Sequence, residues 1–215
     1  MGIRIRHWVF GHKSDEPLIE IETLDLNAAE PTALVGANGS GKTTLLRLMH
    51  GLLVPQQGVI EGVTNQHSAL IFQRPRFLRV SVRHNLIAAG VATGMSWKKA
   101  SDCAAGWLEK TGLYSHADRP ALALSGGQQK RLAVARALLK SPEVLLADEV
   151  TAHLDAKQGA LVEQLLGEHI HNDAQRTRPT KTLIFASHDP AQVERLARRV
   201  IYLNRGRIER DERVS

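Results

Sequence analysis

The spacing of apolar residues along the chain predicts strands in two stretches and helices in the stretch between them. Alternating or continuous apolar runs, which are typical of strands, lie at 3–10, 18–22, 32–35, 58–62, 68–73, 144–147, 181–186 and 199–208. The first two runs are expected to pair antiparallel around the polar stretch 11–17. The last run is expected to form a hairpin that turns at 204–206.

Helical spacing and N-cap residues predict where the helices begin. Ser81, Ser96 and Ser125 each precede a helical pattern, and their side-chain oxygens are expected to cap it. The predicted helices cover 44–49, 85–87, 97–110, 128–139, 156–169 and 190–197. This order of elements predicts an α/β fold in one domain. Residues 1–78 and 142–215 would form the α/β lobe with an antiparallel β subdomain, and residues 79–141 an inserted helical lobe.

Composition narrows the classes of protein to consider. The 215 residues, 43% of them hydrophobic, suit one globular domain. No apolar run approaches the ~20 residues that cross a bilayer, so we expect a cytoplasmic protein. Cys103 is the only cysteine, which excludes an intrachain disulfide and a cysteine-based metal site. The net charge of +6 is spread along the chain, so no nucleic-acid partner is expected.

The segment from Gly36 to Thr43 predicts a phosphate-binding loop. It fits the pattern G-x-x-x-x-G-K-[ST], in which backbone N–H groups surround phosphate oxygens, Lys42 neutralises them and the Thr43 hydroxyl reaches Mg²⁺. An apolar strand precedes the loop and a helix follows it, so a helix N-terminus adds to the anion site. The predicted nucleotide-binding residues are Gly36, Asn38, Gly39, Ser40, Gly41, Lys42, Thr43 and Thr44.

Two carboxylates follow the apolar strand 144–147. Asp148 is expected to hold Mg²⁺ directly or through water together with Thr43, while Glu149 orients and deprotonates the attacking water. Further upstream, Ser125, Gly126, Gly127 and Gln128 open a helix and offer a hydroxyl and open N–H groups to a second phosphate contact.

The segment 124–128, together with residues 129–138 that follow it, resembles the signature of ATP-binding-cassette (ABC) ATPases. The resemblance to this family covers essentially the whole chain. It implies a P-loop NTPase of ABC type that hydrolyses ATP with Mg²⁺. It also implies a head-to-tail homodimer, in which the signature Ser125, Gly126, Gly127 and Gln128 of one copy close over the ATP bound by the other.

The same resemblance assigns roles to residues that carry little weight alone. Gln73 matches the glutamine that contacts Mg²⁺ or the attacking water, and His188 matches the switch histidine at the γ-phosphate. Asp155 matches the residue that crosses to the other subunit. Phe10 is aligned with the aromatic side chain that stacks on adenine, with Trp8 as its competitor.

One departure from the family pattern concerns the catalytic carboxylate. Val150 stands where the family usually has proline, so the backbone restraint that a following proline imposes on Glu149 is missing. The geometry of Glu149 is therefore expected to be looser.

The sequence leaves open which of three processes ATP hydrolysis drives. The stretches 45–53 and 71–78 resemble ATPases of bacterial tungstate importers and of their molybdate and phosphate relatives. This resemblance implies that the chain binds transmembrane permease subunits, most directly through residues 74–82, on the inner face of the cell membrane. A substrate-binding protein would be an indirect partner. An exporter or lipoprotein-releasing ATPase is the second class. A cassette acting on DNA or ribosomes is disfavoured, because the chain has no coiled-coil insertion and no second cassette.

Overall fold

The computed structural model describes residues 2–11, 17–62, 67–174 and 181–214. Most of the predicted polar stretch at 11–17 lies outside these residues. The chain divides into two compact units, one of residues 1–70, 143–149 and 166–215, the other of residues 71–142 and 150–165. Within the described ranges, every helix is too short or too polar to cross a bilayer.

The first unit contains two sheets. The strands β1 (Ile3–Phe10), β2 (Ile19–Leu26) and β4 (Gln57–Glu61) form an antiparallel sheet in the order β2-β1-β4. The predicted antiparallel pairing of the first two runs is thus confirmed. A six-stranded sheet has the order β5-β6-β7-β3-β8-β9, with β3 (Thr32–Val35), β5 (Ser68–Ile71), β6 (Val144–Asp148), β7 (Thr182–Ala186), β8 (Arg199–Asn204) and β9 (Arg207–Arg213).

The core of the first unit shows why these runs become strands. In β1, Ile3, Ile5 and Trp8 are buried, and the alternation shifts at a bulge where His7 has φ 51°. The bulge turns Trp8 into the core. Every residue of β6 and of β7 is buried, as expected for parallel strands that are covered on both faces.

Three neighbouring strands position the functional groups. β6 and β3 both pair parallel to β7, so their carboxyl ends meet at one edge of the sheet. This is the edge at which open α/β sheets bind ligands. β3 leads through a loop into α1 (Lys42–Met49), β6 ends in Asp148, and β7 is followed by His188 and by α6 (Pro190–Leu196).

The second unit is helical, as the sequence predicts. It contains α2 (Val82–Val91), α3 (Trp97–Lys110) and α4 (Gly126–Leu138), and the first residues of α5 (Ala156–Ala174). The predicted caps are confirmed: the side chains of Ser81, Ser96 and Ser125 accept hydrogen bonds from the backbone N–H three residues on. The helix predicted at 156–169 is longer, since it continues to residue 174.

Candidate nucleotide-binding and catalytic site

The loop between β3 and α1 has the geometry of an anion-binding turn. Gly39 and Gly41 have φ 79° and 108°, and at these values the backbone of a residue with a side chain would be strained. A Cβ on Gly41 would lie 2.7 Å from Ile19 Cδ1, and one on Gly36 would lie 2.2 Å from the Leu203 carbonyl oxygen. No side chain caps the first turn of α1. Its N–H groups therefore face the loop as donors for a bound anion.

Lys42 is held over this loop by the loop's own carbonyl groups. Its Nζ donates to the carbonyl oxygens of Gly36 at 2.8 Å and of Ala37 at 3.1 Å. Burial lowers the pKa of Lys42, while Coulomb attraction to Glu149 and Asp148 opposes this shift. Since an ammonium group has three donors, Lys42 has one left for a phosphate oxygen.

Thr43 and Asp148 form an oxygen pair across the sheet edge. Thr43 Oγ1 donates to Asp148 Oδ2 at 2.9 Å, although the residues are 105 positions apart in sequence. Burial raises the pKa of Asp148, and the hydrogen bond from Thr43 acts in the opposite direction. A hydroxyl and a carboxylate are hard oxygen donors, so the pair fits the Mg²⁺ that the sequence predicts there.

Glu149 and His188 meet at the ends of β6 and β7. His188 Nε2 lies 2.6 Å from Glu149 Oε1. The backbone of Glu149 is left-handed with φ 46°, and its N–H donates to the Ala186 carbonyl oxygen at 3.2 Å. Glu149 is thus restrained by two contacts that involve β7 and the residues after it. These two contacts restrain Glu149, for which the sequence predicts a looser geometry because Val150 stands where the family usually has proline.

The remaining predicted loop residues differ in exposure. Asn38 and Gly39 are exposed and Thr44 is half-buried. Ser40 is buried, and among the described residues its Oγ has no hydrogen-bond partner. Its carbonyl oxygen accepts from the Gly206 N–H at 2.8 Å, which ties the loop to the turn between β8 and β9.

The two aromatic candidates for adenine stacking have different environments. Trp8 is 0% exposed and belongs to the hydrophobic core of the first unit. Phe10 is only partly buried and packs against the edge of that core. Of the two, only Phe10 presents ring surface to a ligand in this structure.

The signature residues lie in the second unit and are organised by local hydrogen bonds. The Ser125 side chain accepts from the Gln128 N–H at 3.4 Å, and Gln128 Oε1 accepts from the Ser125 N–H at 2.9 Å. This is a capping box, which satisfies two N–H groups at the start of α4. Ser125 and Gly126 are exposed, and a Cβ on Gly126 would meet no described atom within 4 Å.

Asp155 and Gly127 share a neighbour that the sequence interpretation missed. Asp155 accepts from the Gln158 N–H at 2.8 Å and from its side-chain amide, and these bonds hold the pKa of Asp155 below its usual value. A Cβ on Gly127 would lie 1.9 Å from Gln158 Oε1, so the end of the Gln158 side chain would have to shift to admit it. The spacing of a capping residue and a Gln three positions on is the signal that could have found Gln158.

Lys130 also contacts the segment before Asp155, by donating to the Ala152 carbonyl oxygen. Gln73 follows β5, belongs to the second unit and is exposed. The structure therefore brings Lys42, Thr43, Asp148, Glu149 and His188 together in the first unit. Within the second unit it links the signature residues to Gln158 and Asp155.

Comparison with known proteins identifies the family. The chain matches the family model described as ABC transporter over residues 20–152. It is 33% identical to the aliphatic sulfonates import ATP-binding protein SsuB 1 of Agrobacterium fabrum, over 92% of this chain and 69% of the relative. It is 32% identical to the arginine transport ATP-binding protein ArtP of Haemophilus influenzae, over 97% of this chain and 90% of the relative.

Solved structures agree with the family match. A dimeric ATP-binding cassette in a post-hydrolysis state, bound to ADP and Pi, has a TM-score of 0.86 and 26% identity, and the alignment covers 99% of each chain. A second dimeric structure of that cassette gives a TM-score of 0.87 at the same identity and coverage. The predicted fold class is thereby confirmed. The protein belongs to the ABC transporter family, in which it is an ATP-binding, ATP-hydrolysing subunit.

Proposed function

We propose that Glu149 is the general base of ATP hydrolysis in this chain. The 2.6 Å contact between His188 and Glu149 beside the phosphate loop is the observation that carries this assignment. In the step, a water oxygen forms a bond to the γ-phosphorus and the bond from that phosphorus to the β,γ-bridging oxygen breaks. The water proton passes to the Glu149 carboxylate, and ADP and phosphate leave. His188 would orient the carboxylate and contact the γ-phosphoryl group.

The phosphate loop and its neighbours provide the charge stabilisation. Lys42 and the N–H groups at the start of α1 bind the β- and γ-phosphate oxygens. Thr43 and Asp148 are the residues that would hold Mg²⁺. When bound, the ion neutralises negative charge on the phosphates. Phe10 would stack on the adenine ring.

A second copy of the chain is proposed to complete the site. Ser125, Gly126, Gly127 and Gln128, with Asp155, would come from the partner and contact the γ-phosphate. The exposure of Ser125 and Gly126 supports this, because their hydroxyl and N–H groups are open to an outside ligand. The relatives of known structure that bind as dimers support it as well.

The work coupled to hydrolysis is proposed to be import of an oxyanion through transmembrane permease subunits, with an extracytoplasmic substrate-binding protein delivering it. The sequence resemblance favours tungstate. Several relatives are named for the import of aliphatic sulfonates, whose head group is also an oxyanion. The chain would then bind peripherally to the inner face of the membrane through the permease.

Export is the second candidate, because another relative supports it. The chain is 35% identical to the macrolide export ATP-binding/permease protein MacB 1 of Aeromonas hydrophila, over 99% of this chain and 34% of the relative. This chain therefore spans about a third of that relative's length. The same ATPase chemistry would serve export equally well.

Uptake measurements distinguish the two candidates. Cells that express this chain with a candidate permease are given labelled tungstate or a labelled alkyl sulfonate, and cells with the Glu149→Gln chain are the control. Accumulation that Glu149→Gln abolishes supports import and identifies the anion. Loss of preloaded substrate that depends on Glu149, without accumulation, supports export instead.

A further inference from the structure

The side-chain amide of Gln128 bridges two groups in the second unit. Its Oε1 accepts from the Ser125 N–H at 2.9 Å, and its Nε2 lies 2.8 Å from His116 Nε2. His116 closes the short 3₁₀ turn Tyr114–His116, nine residues before the signature begins. The imidazole thus contacts the residue that completes the capping box.

The two contacts fix the orientation of the amide and the tautomer of His116. Because Oε1 accepts from Ser125, the NH₂ group of Gln128 must face His116. His116 Nε2 therefore carries the lone pair, and the ring proton is on Nδ1. That Nδ1 atom is buried and has no partner among the described residues, so Gln128 provides the polar contact of the ring. A rotated amide would place two donors against each other at the Ser125 N–H and two acceptors against each other at His116 Nε2.

Few other contacts hold the start of α4 in place. Ser125 and Gly126 are exposed, and no described atom lies within 4 Å of the position of a Cβ on Gly126. The bond from the Gln128 N–H to Ser125 Oγ is long, at 3.4 Å. The Ser125 carbonyl oxygen accepts from the Gln129 N–H at 2.8 Å, as in any helix start, while the Ser125 N–H donates to the Gln128 amide at 2.9 Å.

We propose that His116 is a positioning residue for the signature segment 125–128. By accepting from the NH₂ group, it holds the Gln128 amide in the orientation that the Ser125 N–H requires, and so keeps the hydroxyl and the first N–H groups of α4 aimed at the phosphate that the partner copy binds. This proposal rests on the proposed dimer. It assigns to His116 no contact with nucleotide.

Substitutions at His116 separate hydrogen bonding from packing. His116→Gln places a carbonyl oxygen close to the position of Nε2 and can still accept from Gln128. His116→Met fills similar volume without a good acceptor. In His116→Asn the amide is too short to reach Gln128. Thermal unfolding of each variant shows that it is folded before function is compared.

Two measurements are made in the Glu149→Gln background, which blocks hydrolysis. The first is ATP affinity of the monomer, by titration with a fluorescent ATP analogue. The second is the concentration of ATP that gives half-maximal dimerisation, by light scattering. We expect His116→Met and His116→Asn to need about tenfold more ATP for dimerisation, with monomer affinity unchanged, and His116→Gln to stay within about twofold.

A double substitution tests whether His116 acts through Gln128. His116→Met combined with Gln128→Met should be no worse than Gln128→Met alone, because the bridge is already lost. Additive losses would overturn the inference, as would a His116→Met variant that dimerises like its Glu149→Gln parent. If the Glu149→Gln parent itself binds ATP without dimerising, the proposed dimer is wrong, and the role of His116 falls with it. The parent thus distinguishes the two failures.

Discussion

The two units of this chain hold their functional groups by different means. In the first, Lys42 and Asp148 are only 6% and 5% exposed, and the bond from Thr43 to Asp148 joins residues 105 positions apart. In the second, Ser125 is exposed and its capping box joins residues only three positions apart. The nucleotide site proper therefore depends on the folded sheet. The signature depends on local hydrogen bonds, and its functional groups are left open for an outside ligand.

The largest effect is expected where the first unit performs the chemistry. Glu149→Gln should lower ATP turnover about 100- to 10,000-fold, because an amide cannot accept the proton of the attacking water. ATP binding should persist. Phosphate release at saturating ATP measures the loss. Glu143→Gln, at the exposed residue just before β6, is the matched control and should leave turnover within about twofold of the parent. Parental turnover in Glu149→Gln would contradict the assignment of the base.

The second-largest effect is expected on the affinity of the phosphate loop for ATP. Lys42→Ala removes a charge-assisted donor and should raise the Kd for ATP about 10- to 100-fold. Titration of the monomer with a fluorescent ATP analogue measures it. Arg47→Ala removes the same charge from an exposed position on α1 and serves as the control. Equal affinities of the Lys42→Ala and Arg47→Ala variants would show that Lys42 does not bind phosphate.

Alanine variants of the two signature glycines distinguish an effect on folding from an effect on ATP turnover. Gly126→Ala meets no described atom, so it should keep the parental unfolding temperature, yet lower turnover about tenfold by obstructing the partner's nucleotide. Gly127→Ala places a Cβ against the end of the Gln158 side chain, which must shift away, and it should lower both the unfolding temperature and turnover. Turnover and melting curves are measured on both variants. Full turnover in Gly126→Ala would argue against an outside ligand at this helix.

The smallest effect concerns stability without nucleotide. Burial raises the pKa of Asp148, so the charged carboxylate destabilises the fold above that pKa and the neutral acid does not. Asp148→Asn should therefore raise Tm at neutral pH in the presence of a chelator, and the gain should shrink as pH falls. Asp102→Asn, on the exposed side of α3, should show no such trend. A gain that is the same at every pH would exclude titration of Asp148 as its cause.

Local patterns in the sequence were enough for the elements and for naming the candidate residues of the site. Ser81, Ser96 and Ser125 cap helices as predicted, because a cap bonds to an N–H only three residues away. The phosphate loop and the carboxylates after β6 were recognisable for the same reason. The family comparison confirmed the resemblance to ABC ATPases, while the tungstate specificity stays a prediction.

Features that arise from register and packing were not predictable. The bulge at His7 shifts the alternation of β1, so Trp8 enters the core and Phe10 stays at its edge. The conformational preferences of histidine do not predict a bulge at His7. The contact of Gly127 with Gln158 joins residues 31 positions apart, and that of His116 with Gln128 crosses from one element to another. Such pairs become visible only once the helices are packed.

The left-handed backbone at Glu149 has a consequence for protein engineering. A φ of 46° costs an ordinary residue about 1–3 kcal/mol, and glycine or asparagine adopts it more easily. A search for thermostable variants would therefore reward replacement of the side chain that is proposed to take up the proton. Laboratory evolution of this chain for robustness needs a second filter for product formation, or its winners will be well-folded and inert.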